Sequence, residues 1–394
     1  MQQHRIIVLG AGYTGAIVAG RLAKQLHRED VAITLVNPEP DFVERVRLHQ
    51  LAVGQELPHR PFSEMFAGTG VELRLATVTA VDAERRTVAV TAADGAEELA
   101  YDTLVYALGS GWNPQGVPGT AEHAHEISSR PGALRLRDRL AALEAGQSVV
   151  VVGGGLTGLE AATEIAEARP DLDVALAARG GLGDWLSDKG RQHVRKVFDG
   201  LGITAHENTS VTGVEADRVL TSDGAVPAAV TIWTTGFAVH PIAAATTLDV
   251  TETGQIVVDG TMRSVSHPDV YAVGDAARAM GAGDKPLRMS CASGTPMAWQ
   301  AADAIAARLT GTKLPKAHLR YFNQCISLGR KEGLIQYVTA DDRAVRAALT
   351  GRLAARYKEL ICKGAAWGVA NPKLGFPTRP RRTTPQPTPA PTAA

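Results

Sequence analysis

The sequence predicts an α/β fold in which one strand–turn–helix unit occurs twice, the second copy inserted into the first. Three observations predict it. Residues 10–15 read Gly-Ala-Gly-Tyr-Thr-Gly, and residues 153–158 read Gly-Gly-Gly-Leu-Thr-Gly. Each follows an apolar run, Ile6-Ile7-Val8-Leu9 or Val149-Val150-Val151-Val152, and opens a stretch rich in Ala, Leu, Ile and Glu. Each copy later closes on an apolar strand ending in glycine, at Gly109 and at Gly236.

The elements follow in order. Helix 13–27 and a strand near Val31–Val36 come after the first fingerprint. Helix 157–168 and a strand near Val174–Ala178 come after the second. Gly70-Val71-Glu72-Leu73 has a counterpart in Gly202-Ile203-Thr204-Ala205, and turns fall at Asp94-Gly95 and Asp223-Gly224. A further apolar strand ends at Val273-Gly274-Asp275, and a helix at roughly 296–309 follows. The first Rossmann-like domain is thus expected over 1–113 and 262–316, and the second over 114–261. A small α+β region is expected over 317–375, with a hairpin around Gly329–Gly333 and an amphipathic helix at 342–363 carrying Val345, Leu349, Leu353, Leu360 and Ile361. The Pro/Thr-rich end, 376–394, is expected to be disordered.

In a fingerprint of this kind the first glycine makes a tight turn and the second admits a pyrophosphate. The third lets the helix pack on the strand, and the phosphate rests on the helix N-terminus. Gly10, Gly12 and Gly15, with Tyr13 and Thr14, are one expected dinucleotide site. Gly153, Gly155 and Gly158, with Leu156 and Thr157, are the other. Two dinucleotides in one chain imply electron transfer between them, most often from a nicotinamide to a flavin.

Composition narrows the class. The chain is 45% apolar and 21% charged, as in ordinary globular proteins. Cys291, Cys325 and Cys362 form no CxxC or CxxxxC pair, which argues against a disulfide framework, a zinc site or an iron–sulfur cluster. The chain enters its first strand at once, and no apolar run reaches the ~18 residues of a membrane span. Both point to the cytoplasm, with peripheral contact on the inner face of a membrane left open. From Arg343 onward ten Lys/Arg face one acid, Glu359, so this end is +9 on a body of −9. That asymmetry suits an anionic partner, a membrane surface or a solvated helix, and a homodimer stays open. Nothing in the pattern points to nucleic acid.

Together the two fingerprints, Ala107-Leu108-Gly109-Ser110 and Val273-Gly274-Asp275 resemble the pyridine nucleotide–flavin oxidoreductases across about residues 4–310. The nearest subgroup looks like the type II NADH dehydrogenases and related quinone reductases. The resemblance implies FAD on the first unit, with Asp275 on its ribityl chain. Val78 would lie near the adenine, and Ala107, Gly109 and Gly274 beside the cofactor. It implies a carboxylate on the adenosine ribose where this chain has Asn37. Arg47 and His49 fall where relatives pass the flavin, and Arg47 could meet a phosphate or the reduced ring. The loop from Arg288 to Pro296 falls along the flavin's pyrimidine edge. Glu160 is the implied catalytic residue, positioning the nicotinamide, and Gly236 closes its pocket. Where an acid selects NADH, this chain has Ala178 followed by Arg179, which favours NADPH. No cysteine pair lies in 42–51, so electrons are expected to leave the flavin directly for a quinone, another small acceptor, a redox protein or oxygen, with a quinone or small acceptor favoured. The subgroup's paired glutamines are represented by Gln300 alone. A reductase for a ferredoxin- or rubredoxin-like carrier, a metabolite-tailoring flavoenzyme and a redox-sensing binding protein remain alternatives.

Overall fold

The computed structural model describes residues 3–314, 319–372 and 379–384. Its largest sheet runs β18-β6-β1-β2-β3-β4-β5. The strands are β1 (His4–Leu9), β2 (Val31–Asn37), β3 (Val71–Asp82), β4 (Thr87–Ala92), β5 (Gly95–Ala100), β6 (Thr103–Tyr106) and β18 (Val270–Ala272). β18, β6, β1, β2 and β3 pair in parallel, and β3–β5 form an antiparallel meander. Ile6 to Leu9 are buried without alternation, as a parallel strand covered on both faces requires. Helices α1 (Tyr13–Gln25) and α8 (Cys291–Thr310) pack against each other. Arg21 clasps Asp303 there through two hydrogen bonds of 2.7 and 2.9 Å.

Between β6 and β18 the chain builds a second parallel sheet, ordered β11-β10-β9-β15-β8. It comprises β8 (Ala124–His125), β9 (Ser148–Val152), β10 (Asp173–Ala177), β11 (Thr204–His206) and β15 (Val230–Trp233). Around it lie α5 (Arg130–Ala141), α6 (Leu156–Ala168), α7 (Asp188–Leu201) and an antiparallel sheet of β12 (Val211–Val214), β13 (Arg218–Thr221) and β14 (Gly224–Pro227). Where the chain passes between the two sheets, β7 (Ser110–Trp112) and β16 (Phe237–Val239) pair antiparallel. The remaining elements are short: α2 (Leu48–Leu51), α3 (Phe62–Met65), α4 (Thr120–His123), and the pair β17 (Ile256–Val257) and β19 (Ala277–Arg278).

The C-terminal region differs from expectation in three places. Residues 342–363 are not one helix. They form β22 (Ala344–Thr350), the third strand of a sheet with β20 (Asn323–Ser327) and β21 (Gly333–Val338), and then α9 (Arg352–Ala370). Gly351, at φ +80°, breaks the chain between them. Buried Gln336 explains the strand: its amide donates to the carbonyls of Val345 and Ala347, while its oxygen accepts from the Ser187 N–H and hydroxyl.

Helix α8 begins five residues before Pro296, because Ser290 caps it by accepting from the Ser293 N–H. Residues 379–384 are ordered rather than disordered. The Arg381 N–H donates to Gln25 O at 2.8 Å, and Arg382 pairs with Glu29 and Asp30, each at 2.8 Å. Part of the basic end thus neutralises the chain's own acids. The rest of the expected disordered tail, 376–378 and 385–394, lies outside the described residues.

Candidate functional site

The two fingerprints fold into the same cradle. Gly10 has φ +89°, and a Cβ there would lie 2.5 Å from Ala107 O. Gly153 has φ +129°, and its Cβ would lie 2.5 Å from Thr234 Oγ1. A Cβ on Gly15 would fall 1.8 Å from Gly10 O, and one on Gly158 equally 1.8 Å from Gly153 O. Gly12 and Gly155, by contrast, face open space. They are the N-caps of α1 and α6, and neither helix start carries a capping side chain or an acid. The N–H groups of the first turns, at Tyr13 and Thr14 and at Leu156 and Thr157, are therefore left for an external anion. Open backbone below and free donors above fit one dinucleotide pyrophosphate in each cradle.

Further residues gather at the first cradle. Gly109 (φ +69°) and Gly274 (φ +71°) turn the chain there. The Ser110 hydroxyl donates to Asp275 at 2.6 Å, and Arg45 lies 3.5 Å from the same carboxylate. The Thr14 side chain packs on both Gly274 and Gly294, which brings the start of α8 to the cradle's edge, with Pro296 one helical step further on. Asn37 braces the turn: its side-chain oxygen accepts from the Ala11 N–H at 3.0 Å. Val78 sits on β3 opposite Val90, its side chain in the core.

At the second cradle, Ala178 closes against Gly154, and Trp185 donates to Gly154 O at 3.2 Å. Arg179 is exposed and has no ion pair or side-chain hydrogen bond among the described residues. Gly236, at φ +70°, turns beside Gln115.

Glu160, one turn into α6, is buried, with 8% of its surface exposed. Its carboxylate accepts from the Ser327 N–H at 3.0 Å and pairs with Lys358 of α9 at 2.9 Å. Burial pushes this carboxyl up, but the charge of Lys358 and the Ser327 N–H outweigh it and hold it below the usual range. Burial likewise works against the Lys358 charge, and Glu160 overcomes it and raises the ammonium.

Arg47, expected against a cofactor phosphate or the flavin, is instead buried between Glu44 and Glu359, which already neutralise it. Lys358 and Ser327 were not legible as site residues. They reach Glu160 from a third sheet and its helix, and no local motif marks them.

His49, beside this pair, accepts or donates to the Ser327 hydroxyl at 3.3 Å. Burial pushes it down to about 4, so it is neutral in the fold. Its unfolded counterpart takes a proton near pH 6.5, so its stabilising contribution is present above that pH and is lost as pH falls to about 4. The loss amounts to about 3 kcal/mol. His49→Gln is therefore expected to narrow the stability difference between pH 7 and pH 4.5, read by urea unfolding at the two pH values.

Residues 4–306 match the pyridine nucleotide-disulphide oxidoreductase family. The NADH dehydrogenase-like protein YutJ of Bacillus subtilis is 25% identical over 332 residues, covering 84% of this chain and 91% of its own length. Demethylphylloquinone reductase NdbB of Synechocystis is 26% identical over 371 residues, covering 90% and 92%. The structure of NDH2 from Plasmodium falciparum in complex with NADH superposes with a TM-score of 0.77 at 15% identity, covering 91% of this chain and 94% of that one. With two matching cradles and a family match over most of its length, this chain belongs to the pyridine nucleotide-disulphide oxidoreductases.

Proposed function

We propose that the chain, an NAD(P)H-dependent flavin oxidoreductase, takes hydride from NADPH in preference to NADH and delivers electrons to a quinone. The observation that carries this reading is the buried Glu160–Lys358 pair, set on the helix that opens the second cradle. The first cradle would hold FAD and the second the nicotinamide nucleotide. FAD, when bound, supplies hydride acceptance and onward electron delivery. The protein's part is to position and to balance charge. Glu160 orients the nicotinamide from α6, and Lys358 keeps that carboxylate ionised while excluding water. Cys291, Cys325 and Cys362 form no CxxxxC pair, which favours direct transfer from the flavin to a small acceptor. The relative from Synechocystis is named for a quinone, which supports the acceptor assigned here. The test is anaerobic mixing of the yellow protein with NADPH or NADH, followed by a menaquinone analogue. Flavin bleaching and quinone reoxidation are expected. Failure to bleach with either nucleotide overturns the reading.

Arg179 carries the nucleotide preference. Among the described residues it has no ion pair or side-chain hydrogen bond, and it follows Ala178, where it can pair with a 2′-phosphate. Arg179→Ala is expected to raise KM for NADPH about tenfold or more and leave KM for NADH nearly unchanged, as loss of a charge-assisted hydrogen bond implies.

Helix α9 supports a peripheral membrane contact. Leu353, Leu360, Ile361 and Trp367 are 64, 68, 46 and 57% exposed on its outer side. Lys363 and Arg356 flank them. No helix of the described residues is long and apolar enough to cross a membrane. The pattern is that of a helix lying in a lipid interface. Replacing Leu353, Leu360 and Trp367 with Ser is expected to abolish co-sedimentation with anionic vesicles. If the same variant instead splits a dimer and vesicle binding is unchanged, the stripe pairs two copies of the chain.

A further inference from the structure

Between the β20–β21 turn and the first turns of α9 lies a cavity of about 350 Å³. Five cationic side chains line it, Arg330, Lys331, Arg352, Arg356 and Lys358, against one acid, Glu359. The inner two are already paired, Lys358 with Glu160 at 2.9 Å and Arg330 with Glu164 at 3.0 Å. Glu359 is itself engaged by Arg47 and Lys363. Lys331, Arg352 and Arg356 are exposed and have no ion pair or side-chain hydrogen bond among the described residues.

This arrangement works against the protein's own stability. Arg352 and Arg356 stand one helical turn apart, where like charges repel. They also lie in the first turns of α9, which carry no acid, so the positive end of the helix adds to their potential. Surface cations without partners ordinarily spread apart in solvent. Here three converge on a concavity, and a bound anion would offset the repulsion.

We propose that this cavity binds a phosphate group. Arg352 and Arg356 present planar guanidinium forks, which match phosphate oxygens two at a time, and Lys331 adds a point charge at the rim. The two charges of a phosphate monoester answer the unpaired rim cations. The volume lies at the low end of ligand pockets and suits a head group rather than a dinucleotide. The cavity shares Lys358 and Ser327 with the Glu160 pair on its inner wall, but its unpaired rim cations, Lys331, Arg352 and Arg356, lie away from the helix starts that form the two cradles, and the proposal does not rest on the redox reading. The phosphate could be carried by a soluble ester, or by a lipid whose chains lie along the adjoining Leu353 and Leu360.

The test compares the FAD-loaded wild-type protein with an Arg352→Gln/Arg356→Gln variant. Both residues are exposed, and a Tm in sodium chloride at or above that of the wild type, with equal flavin content, confirms that the variant is folded. Thermal unfolding is followed with inorganic pyrophosphate against sodium chloride at matched ionic strength. Co-sedimentation is measured with phosphatidylcholine vesicles, with and without phosphatidic acid.

A pyrophosphate-specific rise in Tm, requiring about tenfold more ligand in the variant, identifies a soluble ester as the source. No such rise, with phosphatidic acid-dependent sedimentation that falls about tenfold in the variant, identifies a lipid. Wild type and variant responding alike in both assays overturns the proposal. The outcome is independent of flavin bleaching, so failure here and failure of the redox reading are told apart.

Discussion

Lys358→Met is expected to destabilise the protein by about 3–5 kcal/mol at neutral pH, because it leaves the Glu160 carboxylate buried without its partner. The wild-type pair sits beside neutral His49 and the Ser327 N–H. The pH dependence carries the sign. In the wild type the folded Glu160 pKa lies below the unfolded value, so its stabilising contribution is present at neutral pH and is lost as pH falls through the folded pKa. Without Lys358, burial is the largest remaining influence and lifts the carboxyl above its unfolded value. The variant then recovers stability, relative to wild type, as pH falls from neutral towards the unfolded carboxyl range. Urea unfolding at pH 7.5 and 5 reads the difference. The double variant Glu160→Gln/Lys358→Met is expected to regain most of the loss at pH 7.5, since no charge stays buried. If Lys358→Met unfolds at the wild-type urea concentration at both pH values, the pair is not coupled as described.

Gly15→Ala is expected to cost about 3 kcal/mol or more, and to yield protein without bound flavin. Its methyl would lie 1.8 Å from the Gly10 carbonyl oxygen, which is backbone and cannot rotate away. Gly10 is itself closely overlaid, since a Cβ built on it would lie 2.5 Å from Ala107 O. Gly12→Ala separates the two effects. Its methyl meets nothing within 4 Å, so Tm of the flavin-free protein should hold. Flavin retention should still fall, because the methyl occupies the space left for the pyrophosphate. Flavin absorbance per protein, together with Tm of the stripped protein, distinguishes the two. Loss of Tm in both variants would place Gly12 in the packing rather than in the cradle.

The residues that could be read from sequence were those whose role is local. Both cradles follow from a strand, a turn and a helix that are contiguous in the chain, and Gly12 and Gly155 sit where the spacing puts them. Asp275 and Ser110 meet across the cradle. Lys358 was hidden because its partner is brought to it by tertiary packing of α9 on α6's neighbour β20. The 342–363 segment misled for a different reason. Val345 and Leu349 stand four residues apart, a spacing that fits a helix face and an even-numbered strand position alike. The partners that decided the matter, Gln336 and Leu334, lie on another strand. Pro296 marked a helix start that Ser290 had already capped. Residues 379–384 read as disordered from composition, yet acids at Glu29 and Asp30 hold them.

The strand order β18-β6-β1 has a consequence during synthesis. β18 and its neighbour β6 are separated in the chain by the whole second sheet. At ~5–20 residues per second, a ribosome needs roughly ten seconds or more to deliver β18 after β6. Meanwhile β6 presents an unpaired parallel edge, with Leu104, Val105 and Tyr106 bare, while the inner sheet has all its strands in hand and can close first. The nascent chain therefore carries a finished inner unit on an unfinished outer one, and the sticky edge of β6 is the place where a chaperone would be needed.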